Sequence, residues 1–240
     1  FSADAKRVLS VSALSRSVFV HEVQGGWERN RFSGVVSYFQ SAALSPDGKV
    51  AAISRQDRSC VLMDLETGVE RMRLVGHKGN VYALAFSEDG RWLATGGGET
   101  VRVWDVRKGE QFHLLEGHRK FIYALAFSSD SRNLVSGSLD GTARIWDLSS
   151  GSERAVLSPH TRYVSSVSIS PDCRWIVTTS WDGMVRFWNA RTGDLIRKEA
   201  SHSGTAWASS FSPDGRRMAT GGKDGMVLIW GMGRVQKGQK

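Results

Sequence analysis

The chain has 240 residues and a formal net charge of +8, and 40% of its residues are hydrophobic and 23% charged. This balance excludes a largely disordered chain, and no apolar stretch approaches the roughly 18 residues that cross a membrane. Two cysteines, Cys60 and Cys173, are too few for a disulfide scaffold and too isolated for a zinc site. We therefore expect an intracellular protein, of the cytoplasm or the nucleus, with no membrane segment and no signal peptide.

The first predicted unit, residues 1–23, is a truncated copy of the units that follow it. Residues 1–4 align with residues 127–130, and residues 8–10 align with residues 134–136. One strand of this first unit is missing, and an open sheet edge is a liability that proteins avoid. We expect sequence before Phe1, or a partner, to complete the unit.

Further along the chain, three markers repeat with one period. Serine-initiated turns begin at intervals of 42, 41, 42 and 42 residues, at Ser45, Ser87, Ser128, Ser170 and Ser212. Five units end at a large apolar residue, namely Met63, Trp104, Trp146, Trp188 and Trp230. A histidine opens the last four units, at His77, His118, His160 and His202. A period of about 40 to 45 residues is typical of propeller blades with four strands each.

Within one unit the predicted strands follow each other without an intervening helix. Short β-prone runs that turn residues separate are found at residues 81–86, 92–96, 101–104 and 111–115. No long amphipathic helix is predicted anywhere. The sequence therefore predicts an all-β propeller with six visible repeats, the first one truncated, and six or seven blades. We assign residues 1–231 to one propeller domain and residues 232–240 to a basic tail.

Three of the units carry a histidine, a hydroxyl residue, an aspartate and a tryptophan at matching spacings. With these motifs the chain resembles the WD-repeat β-propeller family over residues 1–231. The resemblance implies a hydrogen-bonded structural set in each of these blades: His118, Ser136, Asp140 and Trp146; His160, Thr178, Asp182 and Trp188; and His202, Thr220, Asp224 and Trp230. A looser similarity to the propellers of Tup and Groucho type corepressors rests on residues 134–147.

The earlier units carry only parts of this set. The unit before the three complete ones has His77 and Thr95 but no aspartate. The preceding unit keeps only Asp57, and the first unit has His21 at the tryptophan position. We expect these early blades to be held mainly by packing.

Histidine, serine and aspartate also form hydrolase triads, but here the same set recurs three times, whereas an enzyme needs one. Residues 96–98 have neither the lysine nor the helix of a phosphate-binding loop. The six histidines are spread along the chain without cysteine pairs, which argues against a metal site, and His113 is expected on the surface. We therefore expect no enzyme activity, no cofactor, no metal and no small-molecule substrate.

Partner binding is expected on the face where each first strand begins, because the family resemblance implies that partners contact this face. Positions three and five residues after each histidine, and the residue before each aspartate, are expected to point there. The candidate residues are Tyr82, Phe121, Tyr123, Tyr163, Trp181, Trp207 and Lys223, with Tyr38 added by alignment from the unit without a histidine, and they include all four tyrosines of the chain. Aromatic side chains dominate protein-binding hot spots. The alternative is that the same rings pack between neighbouring blades.

We interpret the chain as a non-catalytic scaffold that binds other proteins, or short apolar or basic peptides, through this face. One alternative is a corepressor-type propeller of the nucleus. Another is a nucleic-acid or ribonucleoprotein-associated propeller that uses its basic rim. The basic residues are spread over every unit, however, and no aromatic stacking motif for single strands accompanies them.

Overall fold

The computed structural model describes residues 2, 4–12, 17–25, 28–33, 41–158 and 160–232. Within these ranges the chain forms 22 strands, arranged in six antiparallel sheets. Each sheet is built from strands that follow one another in the sequence, so the sheets follow the repeat. The prediction of an all-β propeller fold is confirmed, and the described ranges contain no helix.

The first and last sheets have three strands in the described ranges, and the four between them have four. Sheet A consists of β1 (Arg7–Ser12), β2 (Ser17–Glu22) and β3 (Glu28–Ser33). Sheet B consists of β4 (Ala42–Leu44), β5 (Val50–Ser54), β6 (Cys60–Asp64) and β7 (Glu70–Leu74). Sheet C consists of β8 (Val81–Phe86), β9 (Trp92–Gly97), β10 (Thr100–Asp105) and β11 (Glu110–Leu115). Sheet D consists of β12 (Ile122–Phe127), β13 (Asn133–Ser138), β14 (Ala143–Asp147) and β15 (Ser152–Leu157). Sheet E consists of β16 (Val164–Ile169), β17 (Trp175–Ser180), β18 (Met184–Asn189) and β19 (Leu195–Ala200). Sheet F consists of β20 (Ala206–Phe211), β21 (Arg217–Gly222) and β22 (Val227–Gly231).

The turn between the first two strands of a sheet has a fixed polar geometry that explains the serine marker. In sheet C the Ser87 hydroxyl donates to Asp89 at 2.6 Å and accepts from the backbone N–H of Trp92 at 2.9 Å. The same serine–aspartate bond recurs at 2.5 to 2.6 Å in the turns that begin at Ser45, Ser128, Ser170 and Ser212. Because side chain and backbone close the turn together, the strands on either side are held in one register.

The hydrophobic core is a series of layers between neighbouring sheets. Between sheets D and E, Val135 and Ile145 pack against Ile176 and Trp188, and none of the four is more than 2% exposed. Corresponding clusters join sheets A and B, B and C, C and D, and E and F. Each sheet inside the series is therefore stabilised by its two neighbours.

The second strand of one sheet and the first strand of the next approach each other closely at two glycines. A Cβ atom at Gly96 would lie 2.7 Å from a methyl carbon of Ile122, and one at Gly137 would lie 2.7 Å from a methyl carbon of Val164. Real Cβ atoms do not come this close, so Ile122 and Val164 fit in their observed positions only because glycine stands opposite each of them on the preceding sheet. The equivalent pair between sheets E and F is Thr179 and Ala206, where the larger residue stands on the preceding sheet.

The last sheet differs from the others because described residues leave one of its sides uncovered. Val227 and Ile229 are 68% and 65% exposed, whereas their equivalents in sheet E, Val185 and Phe187, are 0% and 4% exposed. A Cβ atom at Gly221 would have no neighbour within 4 Å. We call the surface made by Gly221, Val227 and Ile229 the uncovered side of sheet F.

Both cysteines are free thiols, Cys60 buried in sheet B and Cys173 half-buried. Burial raises the pKa of the Cys60 thiol to about 12, so this thiol stays protonated at neutral pH. Over the described ranges, nothing helical is long and apolar enough to cross a lipid bilayer.

Candidate functional site

One end of the sheets carries the predicted binding residues. The start of each first strand pairs with the end of the second strand, as Val81 does with Gly97 and Val164 with Ser180. The loops before β8, β12, β16 and β20 therefore lie beside the turns that follow β9, β13, β17 and β21. We call this end the histidine face, formed by residues 77–82, 98–99, 118–123, 139–141, 160–163, 181–183, 202–207 and 223–225.

In sheet D the four residues of the predicted set form one hydrogen-bonded chain. The Trp146 indole N–H donates to the Ser136 hydroxyl at 2.8 Å. His118 lies 2.8 Å from the same hydroxyl through Nε2 and 2.9 Å from Asp140 through Nδ1. The indole N–H can only donate and the carboxylate can only accept, so the Ser136 oxygen accepts from Trp146 and the Nδ1–H of His118 donates to Asp140. The Ser136 hydroxyl is shared by the indole and the imidazole, and the bonds join all four residues.

Asp140 is the charged end of this chain. Its side chain is 8% exposed and accepts from the backbone N–H groups of Arg119 at 3.0 Å and Thr142 at 2.9 Å. Burial alone would raise the pKa of Asp140, but the hydrogen bonds from His118, Thr142 and Arg119 outweigh burial and hold the pKa well below its ordinary value. The ionised carboxylate therefore ties the loop before β12 to the turn after β13.

Sheet E repeats the arrangement and adds an arginine. His160 lies 2.7 Å from the Thr178 hydroxyl and 3.0 Å from Asp182, and the Trp188 indole donates to Thr178 at 2.9 Å. Arg186, which is buried, donates to Asp182 at 3.0 Å and contacts His160. Burial opposes ionisation of Asp182, but the bond from His160 outweighs it and lowers the pKa of Asp182. Burial also lowers the pKa of His160, against the pull of Asp182.

Sheet F contains the same set at slightly longer distances. His202 lies 3.1 Å from Thr220 and 3.1 Å from Asp224, and the Trp230 indole donates to Thr220 at 3.0 Å. The backbone N–H of Met226 donates to Asp224 and lowers the pKa of its carboxyl group. The polar network of a sheet is thus formed whether or not both sides of the sheet are covered.

Sheet C lacks the aspartate, and a backbone carbonyl takes its place. His77 lies 2.6 Å from the Thr95 hydroxyl and 3.2 Å from the carbonyl oxygen of Gly97, while Trp104 donates to Thr95 at 2.8 Å. Burial, together with the charge of Arg102, lowers the pKa of His77 to about 4. This imidazole is therefore neutral at physiological pH and donates its one N–H to the carbonyl.

The first two sheets keep only fragments of the network. In sheet B, Asp57 accepts from the backbone N–H of Ser59 at 3.0 Å and pairs with Arg73 at 3.0 Å, and the tryptophan position holds buried Met63. In sheet A, His21 lies 3.3 Å from the Ser10 hydroxyl.

The histidine–serine–aspartate sets are poorly placed for catalysis. The Ser136 hydroxyl is fully buried and already contacts both Trp146 and His118, so no substrate atom can reach it. Within the described ranges, no group of three or more histidine, cysteine, aspartate or glutamate residues lies close enough to hold a metal ion. The geometry suits a structural role.

The aromatic residues of the histidine face form two clusters. In the tyrosine cluster, at the junction of sheets C and D, Tyr82 stacks on Tyr123 with ring centroids 5.0 Å apart and lies 5.6 Å from Phe121. Phe121 and Tyr123 remain 44% and 40% exposed. These rings pack across the junction of two sheets and still present a large surface.

The tryptophan cluster lies at the junction of sheets E and F. Trp181 lies 5.1 Å from Tyr163 and meets Trp207 edge to face at 5.3 Å. Trp181 and Trp207 are 37% and 46% exposed. The Lys120 ammonium group from sheet D lies 5.7 Å from the centre of the Tyr163 ring, so a cation stands beside this cluster.

The two remaining residues of the predicted binding face are Lys223 and Tyr38. Lys223 lies on the histidine face with an exposed side chain, and its backbone N–H donates to the Thr205 carbonyl at 2.8 Å. Tyr38 lies outside the described residues.

His113 corrects a prediction, because it is half-buried and not a plain surface residue. Its Nε2 lies 2.9 Å from the carbonyl oxygen of Leu148, since the outer strand of sheet C reaches the end of β14 in sheet D. A Cβ atom at Gly151 would lie 2.6 Å from the His113 ring. His113 therefore joins two sheets at their outer edge.

Sequence reasoning missed Arg186 as a member of the sheet E network. A signal was available, because arginine also stands at the equivalent positions Arg102 and Arg144. Their partners differ, however: Arg102 donates to the carbonyl of Gly76, and Arg144 pairs with Glu153. The repeated arginine alone does not predict which partner it finds.

A family model described as the first β-propeller of IFT122 matches residues 80–240, more than half of the chain. The chain belongs to this family. No curated protein matches it. The part of the chain that matches the IFT122 first-propeller family contains sheets C to F and both aromatic clusters. Membership of this propeller family agrees with the resemblance to WD-repeat propellers.

Proposed function

We propose that this propeller is a non-catalytic scaffold that binds a protein partner through the histidine face, with the tyrosine and tryptophan clusters as the contact surface. The observation that carries the proposal is the exposure of four aromatic side chains at one end of neighbouring sheets: Phe121, Tyr123, Trp181 and Trp207. Exposed large apolar groups gathered in one place favour an interaction surface over scattered surface residues.

The surface is rigid before any partner arrives. The backbone N–H of Trp181 donates to the carbonyl of Tyr163 at 3.0 Å, and that of Leu139 donates to Phe121 at 2.9 Å. The histidine sets tie the same loops and turns together a few residues away. Because little backbone entropy is lost on binding, preorganisation of this kind increases affinity.

The rings also contact one another, as the packing alternative requires. Packing between sheets accounts for Tyr82, which is half-buried between its neighbours. It does not account for Trp207, which is nearly half exposed on the last sheet. We therefore assign both roles to the clusters and the larger share of partner contact to the exposed rings.

The finer alternatives stay predictions. A corepressor-type role in the nucleus and a nucleic-acid or ribonucleoprotein-associated role have no specific observation in their favour among the described residues. Cysteine usage supports an intracellular location, in the cytoplasm or the nucleus.

The test is a selection of short random peptides displayed on phage against the chain, followed by affinity measurement of the enriched peptides by fluorescence polarisation. Trp207→Ala and Tyr123→Ala should each weaken binding at least about fivefold, the equivalent of about 1 kcal/mol per contact. The matched control is Phe112→Ala, since Phe112 is 45% exposed on β11, outside the histidine face.

All three variants should melt as folded proteins, which separates lost binding from lost structure. Equal affinity of the parent, Trp207→Ala and Tyr123→Ala for the enriched peptides would show that the contact surface is elsewhere.

A further inference from the structure

We propose that the histidine face binds an acidic segment of its partner, in which carboxylate side chains flank an apolar or aromatic anchor. This inference rests on the proposed function and adds the chemical class of the partner. The exposed rings by themselves suit an apolar or aromatic anchor, and the charges around them decide whether the residues that flank this anchor are basic or acidic.

Exposed charge on the histidine face is mostly positive. Its exposed cationic side chains are Lys78, Arg119, Lys120, Arg162 and Lys223. Within the described part of the chain, none of these five forms an ion pair. On the same loops and turns, the exposed acid is Glu99. The cations are therefore available to a ligand.

The other acids of this face are withdrawn from contact. The side chains of Asp140, Asp182 and Asp224 are 8%, 6% and 12% exposed, and each is bonded to the histidine of its own sheet. They fix the loops but present almost no surface. A basic peptide would thus meet repulsion from five exposed cations, with Glu99 as the exposed carboxylate of these loops and turns.

Fixed backbone holds the cations next to the rings. The Lys120 carbonyl accepts from the Ser138 hydroxyl at 3.0 Å, and the Arg162 carbonyl accepts from the Ser180 hydroxyl at 3.3 Å. Lys120 lies over Tyr163, and Arg162 is the residue directly before that tyrosine. A ligand that places an apolar side chain on the tryptophan cluster therefore brings its neighbouring residues within reach of two cations.

The geometry of the clusters favours a peptide over a single-stranded nucleic acid. Bases bind by stacking on open ring faces, whereas Tyr82 and Tyr123 stack on each other with an interplanar angle of 9°. Trp181 and Trp207 meet edge to face, so these two rings also contact each other. The cations stand singly or in pairs on successive sheets, an arrangement that suits separate carboxylates better than a continuous phosphate backbone.

The experiment uses the random-peptide selection on the full chain, with charge-reversal variants at two places in the same two sheets. Lys120→Glu combined with Arg162→Glu changes the histidine face. The matched control, Arg132→Glu combined with Arg174→Glu, makes the same change of net charge at exposed positions after the serine turns, at the opposite end. Both double variants should fold, because all four side chains are exposed.

We expect the enriched peptides to carry net negative charge together with at least one aromatic or large aliphatic residue. The Lys120 and Arg162 double variant should lose at least about tenfold in affinity, and the Arg132 and Arg174 double variant less than about twofold. Affinity for the parent should also fall as salt rises.

Three results would overturn the inference. The first is enrichment of peptides without acidic bias, or of none, and the second is equal loss in the two double variants. The third is binding of oligothymidylate at physiological salt more tightly than the best peptide, which would indicate a nucleic-acid surface. The inference and the proposed function can fail separately. If neutral peptides bind the Lys120 and Arg162 double variant as well as the parent but bind Trp207→Ala more weakly, the acidic partner is wrong and the proposed function still holds. If the peptides bind Trp207→Ala as well as the parent, both proposals are wrong.

Discussion

Sheets E and F carry the same network but differ in what covers them. In both, a histidine joins a threonine to an aspartate and a tryptophan donates to the threonine, with distances that agree to within about 0.4 Å. The side of sheet E made by Val185 and Phe187 is buried under sheet F, whereas the equivalent residues Val227 and Ile229 of sheet F are exposed. The hydrogen-bonded network thus forms within a single sheet, whereas burial of the apolar side chains requires a neighbouring sheet.

This comparison separates two sources of stability. Complete burial of one aliphatic or aromatic side chain contributes about 1.5 to 3 kcal/mol, while a neutral hydrogen bond contributes about 1 kcal/mol net. We therefore expect substitutions at inter-sheet positions to cost much more in sheet E than at the same positions in sheet F.

The largest difference in the free energy of unfolding should be seen between the variants Val185→Asp in sheet E and Val227→Asp in sheet F. A carboxylate at position 185 would be buried without a partner, and we expect a loss of more than about 4 kcal/mol in the free energy of unfolding. At position 227 the carboxylate would remain in water, and the change should stay within about 0.5 kcal/mol. Urea unfolding monitored by circular dichroism measures both, and similar losses would mean that the side of sheet F is covered in solution.

A smaller difference is expected for the tryptophans. Trp188 is 2% exposed between two sheets, so Trp188→Ala should cost about 3 to 5 kcal/mol. Trp230 is half-buried and contacts Phe187 edge to face at 5.8 Å, and Trp230→Ala should cost at least about 1 kcal/mol less. Thermal melts of the two variants rank them, and an equal shift in melting temperature would contradict a neighbour-dependent contribution.

The next prediction concerns the loss of stability in acid that arises from His77 in sheet C, the histidine without a carboxylate partner. The pKa of His77 falls from 6.5 to about 4 on folding, so the unfolded chain binds the proton more tightly. Stability is then lost as pH falls from about 6.5 towards 4, by up to about 3 kcal/mol, with a further contribution from His160. The lowered pKa values of Asp140 and Asp182 act in a lower range, since their stabilisation disappears only as pH falls below about 4.

His77→Gln isolates this effect. The variant should flatten the stability curve between about pH 6.5 and 4 and leave the loss below pH 4 in place. Urea unfolding at several pH values gives the curve. An unchanged slope in the upper range would mean that His77 binds its proton equally well in the folded and the unfolded chain.

The smallest difference concerns the glycines of the second strands. Gly137→Ala places a Cβ atom 2.7 Å from Val164, and we expect a loss of about 1 to 3 kcal/mol from the forced shift. Gly221→Ala meets nothing within 4 Å and should be neutral or slightly stabilising, because alanine restricts the unfolded chain. Chemical denaturation measures the free energy of unfolding of both variants. A loss for Gly221→Ala as large as that for Gly137→Ala would mean that other residues cover Gly221 in solution.

Much of the fold could be predicted because each strand is bounded by a repeated side-chain turn. The predicted strands of sheet C agree with β8 to β11 within one residue at each end. Which inter-sheet side chains a neighbouring sheet buries could not be predicted from the repeat. Val185 and Val227 occupy the same position in the repeat, but Val185 is buried and Val227 is exposed. A residue pattern describes one unit, whereas burial depends on what stands beside it.

The candidate site shows the same division. The positions of the aromatic residues could be read from their distance to each histidine, but their grouping into two clusters depends on contacts such as Tyr82 with Tyr123, which join different sheets. The carbonyl of Gly97 that replaces the missing aspartate was also invisible, because every residue has a carbonyl. Sequence patterns reveal side-chain partners more readily than backbone partners.

Sheet F exposes two apolar surfaces, the tryptophan cluster and the uncovered side, and the central claim is that the histidine face captures the partner. The most direct measurement is photo-crosslinking of a selected peptide to the chain with benzoylphenylalanine at position 121 or at position 229, since Phe121 and Ile229 are 44% and 65% exposed. The account predicts an adduct from position 121 and none from position 229. An adduct from position 229 alone would contradict it.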